Sequence, residues 1–354
     1  MRPSRALAAF ACALAAAAAF AGCGGGSGSS TTASSGAAKS RPAPPASDFP
    51  SAKGKTLGEV LKAEGAPPSK LVVSPAAEVF RTGENRYPFG VFQRDRTQVA
   101  DAEIALYFAR VPQSKNARPG TTAANKAEER ALDEPAIGPF PAYVETLQTK
   151  PAYRAKTTVS DPDAASVVYA THVDFPSKGE WRIAALIRQG SELSATLLPS
   201  AQVGAFSRVP RVGQKAPVIH TPTAADVHGD LARITTRIPP DTQNKVDYAD
   251  VLGKEPIVLT FATPQFCQSR VCGPVVDVAE QLKHTYGGKV AFIHMEIYKD
   301  NDPNKGVRSQ VGAFHLPSEP WLFAIGRDGR IEAEIDGAFG VEELTRVLKG
   351  LTGE

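Results

Sequence analysis

Sulfur is scarce in this chain: four cysteines and two methionines occur in 354 residues. Four cysteines are too few for a disulfide-stapled scaffold, so any bridge they form has a local purpose. Charge of one sign is also lacking. Forty Lys and Arg stand against 37 Asp and Glu, a formal net charge of +3, and two of the excess cations, Arg2 and Arg5, precede the first acid at Asp48. That leaves no basic footprint for nucleic acid. Long apolar runs are missing too; the longest, Ala6 to Phe20, falls short of the roughly 18 to 20 residues that cross a hydrocarbon core. What is abundant is Gly and Pro, 30 and 29 residues or about a sixth of the chain, which disfavours a helical bundle and points to a strand-rich, loop-rich protein. With 42% hydrophobic and 22% charged residues the composition is globular, and the length suffices for two domains of ordinary size.

Residues 1–22 combine a basic start, the apolar run and a small-residue exit at Ala21-Gly22, the pattern of an export signal. Phe20-Ala21-Gly22-Cys23 resembles a bacterial lipobox, which implies that Cys23 carries lipid and becomes the mature N-terminus. Cleavage after Ala19-Phe20-Ala21 is the alternative and would leave Cys23 a plain thiol. Gly24 to Ser47 is Gly, Ser, Thr, Ala and Pro with almost no large apolar side chain, and residues 23–69 as a whole are expected to form a flexible tether. The expected location is therefore extracytoplasmic, lipid-anchored to the cell membrane.

Residues 70–208 are expected to form an all-β domain. Leu71-Val73, Tyr87-Phe92, Ile104-Phe108, Ser166-Ala170 and Trp181-Ile187 are short runs rich in β-branched and aromatic residues, separated by turn formers. Without helices between most of them they predict a β-sandwich. Ser114 to Pro141 reads as an insertion holding one short Ala/Glu/Arg helix. The stretch Gly179-Glu180-Trp181 to Ile187, following Asp174-Phe175-Pro176, resembles the late strands of immunoglobulin-like domains of bacterial surface proteins, although the cysteines of an antibody domain are absent. No titratable cluster stands out here, so this part reads as a structural or binding module.

Residues 209–354 change character. Ile257-Val258-Leu259-Thr260-Phe261 is a continuous apolar run, as in a strand buried on both faces, and Val275, Val278, Ala279 and Leu282 follow at helical spacing. Further strands are expected over Val290–Ile297, Trp321–Ile325 and Arg330–Ile335, with Arg327-Asp328-Gly329 as a hairpin turn and an amphipathic helix over Val341, Leu344, Val347 and Leu348. This is an α/β order with a mixed sheet.

Phe261-Ala262-Thr263-Pro264-Gln265-Phe266-Cys267, then Pro317-Ser318-Glu319-Pro320-Trp321-Leu322-Phe323, Asp328-Gly329-Arg330 and Gly337 resemble the thioredoxin superfamily, and most of all its extracytoplasmic lipoprotein members. The resemblance spans about Val209 to Thr352. It implies a thioredoxin-like fold, Cys267 and Cys272 as the redox pair, Pro320 as a cis-proline facing the sulfurs and Glu319 as the residue that meets substrate backbone, with Phe266 and Trp321 beside them. It implies no cofactor and no metal. The activity it implies is thiol–disulfide exchange with the thiols or disulfides of exported proteins.

The spacing departs from the family's C-x-x-C, since Cys267-Gln268-Ser269-Arg270-Val271-Cys272 is C-x4-C. Residues five apart in a regular helix have Cα atoms about 8.6 Å apart, beyond the ~7 Å limit of a disulfide. A bridge therefore needs Cys267 outside the helix, or local unwinding of the helix's first turn. Gly273-Pro274 permits that, because Pro suits a first helical turn and lets the regular helix begin only after Cys272. Cys267 is then expected to be the exposed attacking sulfur, Cys272 the resolving one, and Arg270 a cation favouring the thiolate.

Other chemistries stay open. A structural disulfide on a redox-inert binding or scaffold module needs no reactivity. A peroxiredoxin-like peroxidase shares the C-x4-C spacing and the Thr263-Pro264 pair, but Pro264 stands where its threonine belongs. A copper chaperone of the same fold would need a histidine near Pro320, and His315 is the nearest. Lys299 to Asn304 lacks the Gly and terminal Glu of an EF-hand. His284 and His294 have no ligand partner at sequence spacing.

The tether has no other means of holding the protein at a membrane, so the exported form should carry lipid on Cys23, and Cys23→Ser should release it into the medium. Mass spectrometry of the mature N-terminus checks this; an unmodified terminus on either side of Cys23 contradicts it.

Overall fold

The computed structural model describes residues 38–113 and 120–354. The signal segment, Cys23 and the first part of the tether lie outside the described residues, as does 114–119 within the insertion. Along the chain come α1 (Leu57–Leu61), β1 (Val72–Pro75), β2 (Gly83–Phe92), β3 (Glu103–Arg110), α2 (Thr122–Arg130), β4 (Ala136–Pro141), β5 (Tyr143–Thr146), α3 (Lys156–Val159), β6 (Val167–Phe175), β7 (Gly179–Gln189) and β8 (Glu192–Val203). They are followed by α4 (Tyr248–Val251), β9 (Ile257–Phe261), α5 (Cys272–Tyr286), β10 (Ala291–Met295), α6 (Ser309–Ala313), β11 (Trp321–Ile325), β12 (Ile331–Asp336) and α7 (Val341–Thr352). Among the described residues they make three four-stranded sheets.

The first two sheets are antiparallel, in the orders β1-β2-β6-β5 and β4-β3-β7-β8. They share one core because strand side chains alternate between faces. Tyr87, Phe89, Tyr169 and Phe175 of the first sheet meet Phe108, Trp181, Ile183 and Ile187 of the second in a single buried cluster. Aromatic edges fix the fit, with Phe108 and Phe175 ring centres 5.2 Å apart and nearly perpendicular.

The alternate residues of the second sheet, Ala105, Tyr107, Ala184 and Leu186, are buried as well, under Phe49, Ala52, Leu57 and Val60. This corrects the expectation of a tether through residue 69. Residues 38–69 pack on the sandwich because they carry apolar side chains and a helix start: Thr56 caps α1 through the Glu59 N–H while Glu59 caps back to the Thr56 N–H. Tyr107 donates its hydroxyl to the Pro50 carbonyl at 2.7 Å, pinning the segment.

The third sheet has the order β10-β9-β11-β12, with β10 parallel to β9 and the remaining pairs antiparallel. Its chain order is β9-α5-β10-α6-β11-β12-α7, the α/β order with a mixed sheet that the sequence pattern predicts. Alternation along β9 sends Val258 under α5 and α7, and Ile257, Leu259 and Phe261 to the opposite face with Phe314, Trp321 and Phe323. Both faces are therefore covered, as the unbroken apolar run predicts. Trp321 is 1% exposed and stacks on Phe323. It is a core residue, which corrects its expected place at the substrate.

The sandwich and the α/β layer belong to one compact unit, Ala37–Glu354. Val168, from the outer face of the first sheet, lies in the same buried cluster as Leu147, Ala165, Val271, Val275 and Leu344. Polar contacts surround this shared core. The Asp336 carboxylate accepts the Glu78 and Val79 N–H groups at 2.9 Å each. Arg86 pairs with Glu343 at 2.6 Å and donates to the Ala338 carbonyl at 2.7 Å, and Arg81 pairs with Glu334 at 2.6 Å.

Gly337 sits between the layers with φ +88°, where a Cβ would run into the Ala76 carbonyl oxygen. Gly337→Ala should cost about 2–3 kcal/mol through both the left-handed backbone and the clash with a fixed carbonyl. Denaturant unfolding checks this; a change below ~0.5 kcal/mol would mean that the seam opens freely.

Candidate active site

The cysteine loop leaves the carboxyl end of β9 and closes at the start of α5. Cys267 and Cys272 are disulfide-bonded with Cα atoms 5.9 Å apart. The helix begins at Cys272, with Pro274 in its first turn, so Cys267 lies outside the helix. A backbone hydrogen bond from the Arg270 N–H to the Cys267 carbonyl at 3.4 Å tightens the loop, and Arg270 takes a left-handed φ of 61°. Trp321 pairs in register with Phe261, which brings the Glu319–Pro320 segment to the same end of the sheet. The Glu319–Pro320 peptide is cis.

The sulfurs differ in access, though less than expected. Cys272 is fully buried and Cys267 is only 6% exposed, which corrects its reading as an open nucleophile. The cover is the chain between β5 and β6. Thr157, Thr158 and Asp161 border Cys267, Arg270 and Gly273 across a cavity of only about 10 Å³. The Arg270 carbonyl accepts the Ala165 N–H at 3.0 Å, and the Arg270 guanidinium pairs with Asp161 at 3.0 Å. Arg270 is thus engaged by a carboxylate rather than by the sulfur. The side chain that does touch the sulfur is Ser269, whose hydroxyl lies 3.2 Å from Cys267 Sγ; nothing in the spacing singled it out. Phe266 is partly exposed, with its ring edge-on to Tyr298 at 6.2 Å. Glu319 is partly buried, and burial together with nearby Glu78 raises its carboxyl above the usual range.

A buried polar network supports the loop from below. His294, on β10, lies between the Asp241 carboxylate at 2.9 Å from Nδ1 and the Ala262 carbonyl at 3.1 Å from Nε2. Both His294 and Asp241 are completely shielded from solvent. Burial opposes the charge on each, but their mutual attraction prevails: His294 is raised to about 9 and Asp241 lowered to about 2. Imidazolium donates from both nitrogens and suits both acceptors. Glu296 accepts the Thr236 N–H at 2.7 Å, and the Thr236 hydroxyl accepts the Gln265 N–H at 3.2 Å, two residues before Cys267. Arg237 and Asp277 form a second buried pair at 2.9 Å, and Asp277 also accepts the Ala155 N–H at 3.1 Å. The sequence hid these partners because Asp241, Thr236 and Arg237 lie in an irregular stretch with no periodicity. His315 faces Arg208 at 3.2 Å, and no group of three or more His, Cys, Asp or Glu side chains suited to a metal ion occurs among the described residues.

Two solved structures resemble part of this chain. One is a thiol:disulfide interchange protein of the thioredoxin family from Chlorobium tepidum TLS, 16% identical, with TM-score 0.28, matching 40% of this chain and 98% of its own. The other, from Chlorobium tepidum, carries the same interchange assignment under the name DsbE and is 16% identical, with TM-score 0.29, matching 40% of this chain and 99% of its own. No protein-family model and no curated protein matches the chain. The α/β fold is defined by its own strand order and connectivity, independently of these likenesses.

The Asp241–His294 pair sets a pH window. The raised histidine contributes stability that is fully present below its unfolded value of about 6.5 and is lost as pH rises through 9, and the depressed aspartate contributes above about 4 and is lost as pH falls through 2. His294→Gln leaves Asp241 buried and unpaired, so it should cost about 3–5 kcal/mol near pH 6 and flatten the decline in stability between pH 6.5 and 9. Urea unfolding across that range is the measurement; an unchanged slope would remove the pair from this role.

Proposed function

We propose that this protein is an extracytoplasmic, lipid-anchored thiol–disulfide exchange protein that acts on exported partners through Cys267 and Cys272. The observation that carries the reading is the cysteine pair itself: it bridges the carboxyl end of β9 to the first turn of α5, with one sulfur at the rim and the other behind it. In the reduced protein the Cys267 thiolate attacks a sulfur of the partner's disulfide, forming a mixed disulfide and expelling the partner's second sulfur as a thiolate. The Cys272 thiolate then attacks Cys267 Sγ, closing the bridge and releasing the partner's remaining sulfur. Two electrons pass from the cysteine pair to the partner, and the reverse sequence oxidises it. The Ser269 hydroxyl can donate to the Cys267 thiolate, and the first turn of α5 adds the positive end of a helix dipole.

We read the sandwich as immunoglobulin-like. The support is strand order: β1-β2-β6-β5 follows the A-B-E-D order, and β8-β7-β3 follows G-F-C with β4 as an added edge strand. On this reading the sandwich governs access to the disulfide.

A second reading is favoured by one observation. Cys267 at 6% exposure, covered by the β5–β6 connection, also suits a structural bridge in a redox-inert scaffold. Redox titration separates the two, because inert structural bridges have potentials below about −300 mV. Exchange predicts a higher potential, and it predicts that Cys272→Ser traps a mixed disulfide through Cys267 while Cys267→Ser traps none. A potential below −300 mV with no trapping by either variant assigns the bridge to structure.

A further inference from the structure

In this fold the backbone beside the cis-proline is the obvious place for a substrate strand, and here the sandwich lies against the neighbouring Asp336 and Gly337. Ala76 presses on Gly337, and Asp336 is bound by the backbone of Glu78 and Val79. Glu319 faces Glu78, so the ledge is acidic and crowded as well. On the β5–β6 side the loop is closed down to a cavity of about 10 Å³. A wider approach lies beside it. A cleft of about 500 Å³ separates the outer face of β1 and β2 from residues 268–271 of the cysteine loop, within the ~300–1,000 Å³ span of ordinary ligand sites.

Resting on the exchange reading above, we propose that this cleft is where the partner docks, and that its occupant is an extended acidic peptide segment with apolar residues between its charges. The first argument is position. Ser269 lines the cleft and its hydroxyl is 3.2 Å from Cys267 Sγ, so a chain lying there ends one side chain from the sulfur. The second is shape. Val72, Ser74 and Pro75 of β1 and Gly90 and Phe92 of β2 line the cleft along two neighbouring strands, which gives it an elongated floor suited to an extended segment. The third is side-chain chemistry. Val72 is 50% exposed on β1, and Phe92 and Val271 complete an apolar wall. Three arginines, Arg94, Arg96 and Arg270, line the cleft against a single acid, Asp163. Arg270 is held by Asp161, whereas Arg94 and Arg96 are exposed and make no ion pair among the described residues. Opposite charge on a partner would raise its encounter rate and fix its register.

The test uses the full reduced protein and three chromogenic or neutral disulfides. One is a six-residue peptide of alternating Glu and Val around a cysteine capped with nitrothiobenzoate; the second replaces Glu by Lys; the third is hydroxyethyl disulfide. Attack on the peptide sulfur releases nitrothiobenzoate, whose absorbance gives the second-order rate constant. The expected result is a rate about tenfold higher for the Glu peptide than for the Lys peptide at low ionic strength, with the difference collapsing at 1 M salt. Arg94→Glu with Arg96→Glu should remove the preference, while Arg327→Glu, on the β11–β12 turn at the opposite end of the sheet, should preserve it. Failure of wild type to exchange with any of the three overturns the redox reading. Exchange with hydroxyethyl disulfide but equal rates for the two peptides, or an undiminished preference in the double variant, overturns the docking site alone.

Discussion

Burying Ala165 and Val168 against Cys267 and Val271 forces the sandwich and the α/β layer to share a core, and the setting of the cysteine pair follows from that contact. A sheet face that would otherwise meet water is pressed onto the carboxyl edge of another sheet. The energy is the ordinary gain from apolar area removed from water, about 25 cal/mol per Å², but its position is unusual because it lies at the redox loop itself. The cysteine loop consequently has one side shut by the β5–β6 connection and the other opening on a cleft. Gly337 and Gly340, where a Cβ would strike the carbonyls of Ala76 and Thr146, let the layers come this close.

Charge is used at the same seam in two ways. Outside the apolar centre, Arg81, Arg86 and Asp336 tie the layers with directional contacts that set their register. Beneath the loop, the Asp241–His294 and Arg237–Asp277 pairs are removed from water almost entirely. Such burial is costly unless every partner is present, and here each member finds backbone or hydroxyl partners as well. The network fastens the irregular chain 235–244 to β10 and, through Ala262 and Gln265, to the residues leading into Cys267. The loop is thereby held from below by electrostatics and from one side by packing.

On the exchange reading proposed above, a site enclosed this way favours selectivity over speed. An open thioredoxin-type ledge accepts many extended chains, whereas a sulfur reached past Ser269 accepts only those that fit the groove in front of it. On that reading the sandwich belongs to the active site, since its β1 and β2 line the cleft and its β5–β6 connection covers Cys267.

Much of the architecture was legible from local pattern. The unbroken run Ile257–Phe261 pointed to a strand covered on both faces, the β-branched and aromatic run Trp181–Ile187 to a sandwich strand, and Gly273-Pro274 to a helix start past Cys267, which the structure places at Cys272 itself. These features depend on neighbours a few residues apart, which is the range over which periodicity and turn chemistry speak. The capping box at Thr56 and Glu59 lies within the same local range, and the expectation of a tether through residue 69 passed over it. Tertiary structure alone decided how exposed Cys267 is, that Arg270 pairs with Asp161, that Trp321 lies in the core, and that His294 has a partner 53 residues away in Asp241. Each depends on which faces meet across the seam, and that is fixed by the summed burial of two distant sheets rather than by any spacing along the chain.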